Sequence, residues 1–150
     1  MATSRALTQT AADLMTAAPR TCSIYSTVLE AVMIFRDAEC GAVPVLDDGK
    51  PVGILTDRDV ALSLADHANV TDLQVTDIMT QGVVTIEPEA TLVEIQAKFT
   101  EHAVRRLLVV DPDGQLVGIV SWSDVAPWLD NASVGQVVTD VVAEPGTGPV

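Results

Sequence analysis

One stretch occurs twice, in register, and the duplication limits what this chain can become. The first copy is Gly53-Ile54-Leu55-Thr56-Asp57-Arg58-Asp59 and the second is Gly118-Ile119-Val120-Ser121-Trp122-Ser123-Asp124. Asp13 and Asp77, Met15 and Met79, Thr27 and Thr91, and Glu30 and Glu94 stand 64 residues apart. Gly53 and Gly118, and Asp59 and Asp124, stand 65 apart, because the second hairpin turn has one extra residue. A unit of about 60 residues is marginal alone. Two such units are expected to share an apolar face, as repeats generally do.

Local signals give the order of elements within each copy. Each Gly and its aliphatic neighbours end in Thr56 or Ser121, which reads as a buried strand leaving its sheet. A hydroxyl followed three residues later by a carboxylate (Asp59, Asp124) reads as a capping-box-like helix start. Thr27 with Glu30 and Thr91 with Glu94 are capping boxes that open a further helix in each copy. In the first, Val28, Ala31, Val32, Phe35 and Ala38 follow helical spacing, and Gly41 is the expected stop. In the second, Leu92, Ile95 and Phe99 share a face. Asp47-Asp48-Gly49-Lys50 and Asp111-Pro112-Asp113-Gly114 are hairpin turns. Pro44 predicts an edge strand or a strand start, and Pro127 a shortened last helix. The organisation is a first repeat over 12–70, a second over 75–130 and a tail over 131–150. In that tail Val134, Val137, Val138, Val141 and Val142 form a stripe expected to cover the core, with a second chain as the alternative.

Composition narrows the function classes. The 21 acidic and 8 basic residues leave a formal charge of −13, which repels phosphate backbones and anionic lipid, so neither a nucleic-acid nor a membrane partner is expected. No apolar run approaches the ~20 residues of a membrane span, and Met1 to Thr10 carries no secretory signal pattern. With two unpatterned cysteines, Cys22 and Cys40, a reduced cytoplasmic protein without a structural disulfide is expected. Nothing resembles a nucleophile–base pair, a metal-spaced cluster or a Gly-rich phosphate loop. The expectation is therefore no enzyme, no metal and no cofactor beyond a bound ligand.

The repeated blocks resemble a known family. Asp13-Leu14-Met15-Thr16 and Asp77-Ile78-Met79-Thr80, Gly41-Ala42-Val43-Pro44-Val45-Leu46-Asp47-Asp48-Gly49, Val104-Arg105-Arg106-Leu107-Leu108-Val109-Val110-Asp111-Pro112-Asp113-Gly114 and Leu116-Val117-Gly118-Ile119-Val120-Ser121, with the two opening stretches, resemble the tandem CBS (cystathionine β-synthase) domain pair. The resemblance implies an α+β fold with two βαββα repeats packed as a pseudo-twofold pair, a ligand cleft in each half and a flat homodimer. It looks like a stand-alone bacterial protein of this type.

Carried over from the family, Asp59 and Asp124 would hold ribose hydroxyls, and Thr56 and Ser121 would contact phosphate. Thr21 and Thr85, with Val43, Pro44 and Leu108, resemble the adenine slot. Arg58, Arg105, Arg106 and His102 are the candidate phosphate contacts. Ala42 stands at the equivalent of Arg106 and Ser123 at that of Arg58, so the two clefts differ in charge. Trp122, at the equivalent of Asp57, either stacks on a ligand or packs. The simpler reading is that Asp59 and Asp124 only cap helices. The resemblance implies a sensor that binds AMP, ADP or ATP between the repeats and signals to a regulated protein. The alternatives are a ligand-free scaffold, or the same fold binding S-adenosylmethionine or NAD(H).

Overall fold

A computed structural model describes residues 8–129. The valine stripe of the tail lies outside them. Among the described residues six α-helices and seven strands run in the order α1 (Ala11–Leu14), β1 (Thr16–Ala17), β2 (Cys22–Ser23), α2 (Val28–Ala38), β3 (Ala42–Asp47), β4 (Lys50–Thr56), α3 (Asp57–Ser63), α4 (Val75–Ile78), β5 (Thr85–Ile86), α5 (Leu92–His102), β6 (Arg106–Val110), β7 (Leu116–Ser121) and α6 (Trp122–Val125). A strand–helix–strand–strand–helix order thus occurs twice. The chain divides into two compact units. Unit 1 holds the described residues through Ala18 and from Val84 onward, and unit 2 holds Pro19–Val83.

The units do not coincide with the sequence repeats. The opening segment of each repeat completes the sheet and core of the other. In unit 1 the sheet runs β1-β7-β6-β5, and β1 from the first repeat pairs antiparallel with β7 from the second. The amide of Ala11 donates to the Ala90 carbonyl at 2.9 Å, and Ala11 is fully buried with Ile95, Phe99, Leu107 and Val120. In unit 2 the sheet is β2-β3-β4. Here Thr80, from the second repeat, exchanges both backbone hydrogen bonds with Ile54 at 2.8 and 3.0 Å. Val75 joins Ala31, Val43, Val45 and Leu55 in the core, and Met79 packs against it.

The repeated glycines belong to this exchange. A Cβ on Gly53 would fall 2.5 Å from Met79 Sδ and 3.0 Å from the Thr80 carbonyl oxygen. A Cβ on Gly118 would collide with Met15 Sδ and lie 2.8 Å from Met15 Cγ. Each glycine is therefore the seat of a methionine from the other repeat's opening segment, a close approach that only Gly permits.

The cap and turn signals form as local chemistry dictates. Thr27 Oγ1 accepts from the Glu30 amide and Glu30 Oε2 accepts from the Thr27 amide, both at 3.2 Å. Thr91 and Glu94 repeat this at 3.2 and 3.1 Å. Gly49 and Gly114 take positive φ in the two hairpin turns. Pro127 falls in a 3-10 turn, Ala126–Trp128, that follows the four-residue α6.

Three local expectations are corrected. The left-handed residues that end α2 and α5 are Glu39 and Ala103, not Gly41. Val32 and Ala38 are exposed, because the inward face of α2 is set by Val28, Ala31 and, partly, Ile34 and Phe35. Pro44 lies in the central strand of unit 2 rather than at an edge. The register with β2 begins only at Val45. At the equivalent position in unit 1, the Leu108 amide donates to Val84 at 3.0 Å, a bond that Pro44 has no N–H to make. The proline shortens that ladder instead of excluding the strand from the middle.

Candidate functional site

Both repeated stretches fold as strand–cap–helix junctions. In unit 2, Thr56 ends β4 and caps α3. Its Oγ1 accepts from the Asp59 amide at 3.1 Å, and Asp59 Oδ2 accepts from the Thr56 amide at 3.0 Å. The Thr80 hydroxyl donates to the same Oδ2 at 3.5 Å. In unit 1, Ser121 ends β7 and caps α6. Asp124 Oδ2 accepts from both the Ser121 amide and the Ser121 hydroxyl, each at 2.9 Å. The Ser121 hydroxyl lies 2.8 Å from that of Ser123.

Capping and ligand binding are therefore not exclusive readings of these carboxylates. In each Asp one oxygen is held by the cap. The other, Oδ1, accepts no hydrogen bond among the described residues. The cap fixes the carboxylate's orientation, and both Asp59 and Asp124 are half-buried. A pre-oriented carboxylate with a spare oxygen is suited to accept from a hydroxyl. Attraction of phosphate by the helix N-termini is weak here. Helix α6 has four residues and α3 has seven, so few aligned dipoles stand behind either cap. The hydroxyls of Thr56 and Ser121 are already engaged in those caps.

The remaining sequence candidates separate by unit. Thr21, Val43, Pro44, Thr56, Arg58 and Asp59 lie in unit 2; Thr85, His102, Arg105, Arg106, Leu108, Ser121 and Asp124 lie in unit 1. In unit 2 the Asp57 amide donates to the Gly41 carbonyl at 3.1 Å, which ties the start of β3 to the cap. In unit 1 the Trp122 amide makes the matching bond to the Arg105 carbonyl at 2.9 Å. Arg106 pairs with Ser121 across the β6–β7 ladder. Both arginines are thus anchored beside Asp124's cap.

Other candidates stand apart from the caps. Val43 is fully buried in the unit 2 core and has no surface to offer a ligand. Pro44 and Leu108 are buried as well. Thr21 is half-buried just before β2. Thr85 is exposed and lines a cleft of about 430 Å³ with Glu87, Glu94, Lys98 and Asp111, to which Ser121 and Asp124 do not contribute. His102 ends α5 and is exposed, a placement that suits a helix C-terminus. Trp122 packs edge-on against Phe99, with centroids 6.1 Å apart and planes at 83°, an arrangement aromatic pairs favour.

Two site features escaped the sequence reading. Thr80 reaches Asp59 from the opposite repeat's opening segment, and its only sequence signal is membership of the repeated Asp-Ile-Met-Thr block. Arg105 Nε is buried without a hydrogen-bond partner, alone in this among the described buried side-chain nitrogens and oxygens. Among the described residues no cluster of His, Cys, Asp and Glu is arranged to hold a metal ion, and no helix is long and apolar enough to cross a membrane.

Comparison with known proteins places this architecture. The CBS domain family model matches residues 11–66 and 75–131. The CBS domain-containing protein YhcV of Bacillus subtilis is 33% identical over 130 residues, covering 86% of this chain and 92% of its own. The crystal structure of CBSX2 in complex with AMP aligns with TM-score 0.67 at 26% identity, over 79% of this chain and 93% of that one. The CBS domain pair of protein MJ0100, in complex with 5′-methylthioadenosine and S-adenosyl-L-methionine, aligns with TM-score 0.69 at 27% identity, over 79% of this chain and 98% of that one. With two matched repeats, the chain belongs to the CBS domain family.

Proposed function

We propose that this CBS pair is a regulatory module that binds an adenine nucleotide, AMP, ADP or ATP, and passes the bound state to a partner protein. The carrying observation is the paired geometry of Asp59 and Asp124, each with one oxygen fixed by a cap and one left over. A ribose diol presents two donors, and a fixed carboxylate accepts them through charge-assisted bonds. The adenosyl ligands of CBSX2 and of the MJ0100 pair support the same ligand class. Thr80, from the opening segment of the second repeat, donates to Asp59, so a ligand on Asp59 would bear on both repeats within unit 2.

S-adenosylmethionine is a second reading, favoured by the surroundings of Asp59, where Asp57 adds another carboxylate. NAD(H) shares the adenosyl half and the same test covers it. The module acts by binding rather than by catalysis, within the cytoplasm, and works as a homodimer. Leu29, Val32 and Met33 on α2 and Leu62 on α3 support the dimer, since all four are apolar and 36–58% exposed. Sedimentation is expected to give twice the chain mass; one chain mass at micromolar protein removes the dimer.

Calorimetric titration with AMP, ADP, ATP, S-adenosylmethionine and NADH tests the ligand. Saturable binding of an adenine nucleotide, weakened by about 1.5–3 kcal/mol in Asp59→Ala or Asp124→Ala, is expected. Absence of binding by all five at ~1 mM, a free energy of only about −4 kcal/mol, would leave a ligand-free scaffold.

A further inference from the structure

The cleft of unit 1, away from the Asp124 junction, follows from a local break in its sheet. In unit 2 the Ile24 amide donates to the Leu46 carbonyl at 3.0 Å, so the chain keeps to β3 beyond the end of β2. At the 64-residue spacing the match of Ile24 is Pro88, which has no N–H to give Val110. The chain leaves β6 after Ile86, and the carbonyls of Pro88 and Ala90 accept from the amides of Ala12 and Ala11, each at 2.9 Å. The space between this segment, α5 and the end of β6 is the cleft of about 430 Å³, a volume within the range of small-molecule sites.

The lining is of mixed charge over an apolar floor. Ile86, Ala90 and Val110 form the floor, and Glu87, Glu94, Lys98 and Asp111 bring the charges. Lys98 is half-buried and one helical turn from Glu94, yet it makes no ion pair or hydrogen bond, and the Glu87 side chain makes none either. Glu94 and Asp111 are held in place through one oxygen each. Glu94 Oε2 accepts from the Thr91 amide, and Asp111 Oδ1 accepts from the amides of Asp113 and Gln115. Their other oxygens remain for a ligand, already oriented, which lowers the cost of binding. The matches of Lys98 and Glu87 in unit 2 are Ile34 and Ser23, so unit 1 adds a charge of each sign beside the break.

We propose that this cleft binds a free α-amino acid with a cationic side chain, of the lysine type. Lys98 takes the α-carboxylate, and Glu87, Glu94 and Asp111 take the two cationic groups through charge-assisted bonds. The methylene stem lies along the apolar floor, as such stems do. Three carboxylates against one ammonium favour a ligand with two cations and one anion. A simple diamine would leave Lys98 facing like charge, and an anionic ligand would meet a chain of formal charge −13. Ser121 and Asp124 do not line the cleft, so this site is independent of the adenosyl reading.

Calorimetric titration of the full chain with L-lysine, with cadaverine, which lacks the carboxylate, and with L-norleucine, which lacks the second ammonium, tests the assignment. Wild type is expected to bind lysine at one site, about fivefold or more tighter than either analogue. Lys98→Met is expected to abolish the preference for lysine over cadaverine, and Glu87→Gln to reduce the preference for lysine over norleucine. Both side chains lie at the surface of unit 1 without partners, and circular dichroism checks that the fold is kept. Equal binding of lysine and cadaverine by wild type, or a lysine preference that survives Lys98→Met, overturns the assignment. So does the absence of saturable lysine binding at ~10 mM, a free energy of only about −3 kcal/mol. Each of these results leaves the adenosyl reading in place.

Discussion

Units 1 and 2 carry one scaffold with two fillings. Both have a two-residue parallel strand beside a longer hairpin, a capping box at the head of an 11-residue helix, and an Asp-capped junction after the last strand. Their cores differ. Ile95 and Phe99 in unit 1 are fully buried, whereas the matching residues in unit 2 are Ala31, which is small, and Phe35, which is half-buried. Trp122 packs on Phe99, and its counterpart Asp57 is exposed. The shared backbone bond and the hydroxyl–Asp cap accompany the junction in both units, whichever residue follows the cap. The residue following the cap is then free to become either core or charge.

The largest effect should come from the core. Phe99→Ala is expected to cost about 3–5 kcal/mol, the range for a buried aromatic. Phe35→Ala should cost roughly half as much, because part of its side chain already meets water. Denaturant unfolding of the two variants measures this, and equal costs would mean that the two cores are equally packed.

The exchanged methionines give the next effect. Gly118→Ala and Gly53→Ala should each destabilise by about 1–3 kcal/mol through overpacking. Their rescue should differ. At Gly118 the three nearest atoms all belong to the Met15 side chain, whereas at Gly53 the Thr80 carbonyl oxygen is also in the way. Met15→Ala is therefore expected to relieve Gly118→Ala more than Met79→Ala relieves Gly53→Ala. A double-mutant cycle reads the coupling. Coupling of Gly118 with Met79 instead of Met15 would break the crossed arrangement.

The caps should behave alike. Thr27→Ala and Thr91→Ala are each expected to lose ~1 kcal/mol, since their hydrogen-bond lengths agree within 0.1 Å. A large difference in denaturation midpoint would show that the helix starts are less equivalent than their geometry.

The smallest effect concerns Cys22, which occupies the place of Ile86. Burial, the largest cause, pushes its thiol above the ordinary range. The neutral thiol is the form the fold favours. Its stabilising contribution is therefore present below the ordinary thiol pKa and is lost as pH rises through the raised one. Alkylation of Cys22 in the folded chain should accordingly rise at higher pH than in the unfolded chain. Coincident profiles would argue against this burial.

Much of this was legible in the residues. Capping boxes and hairpin turns depend on contacts within a few positions, so Thr27–Glu30, Thr91–Glu94 and Asp47–Lys50 could be placed from the sequence. The repeat spacing also paired the two candidate sites. The crossing of the opening segments was not legible. The spacing shows that Met15 matches Met79 but not that Met15 seats on Gly118, because that contact joins distant parts of the chain. Pro44 misled for a related reason: its missing N–H matters only on the side facing a neighbour, and β2 is too short to reach it. The double service of Asp59 and Asp124 was also hidden, since a capping pattern does not show which carboxylate oxygen is left over.

The central claim is that the two junctions share a cap-oriented carboxylate suited to hold a ribose. A crystal structure of the chain grown with AMP tests it most directly. The account predicts ribose hydroxyls on the spare Oδ1 of Asp59 or Asp124. AMP bound away from both carboxylates would contradict it.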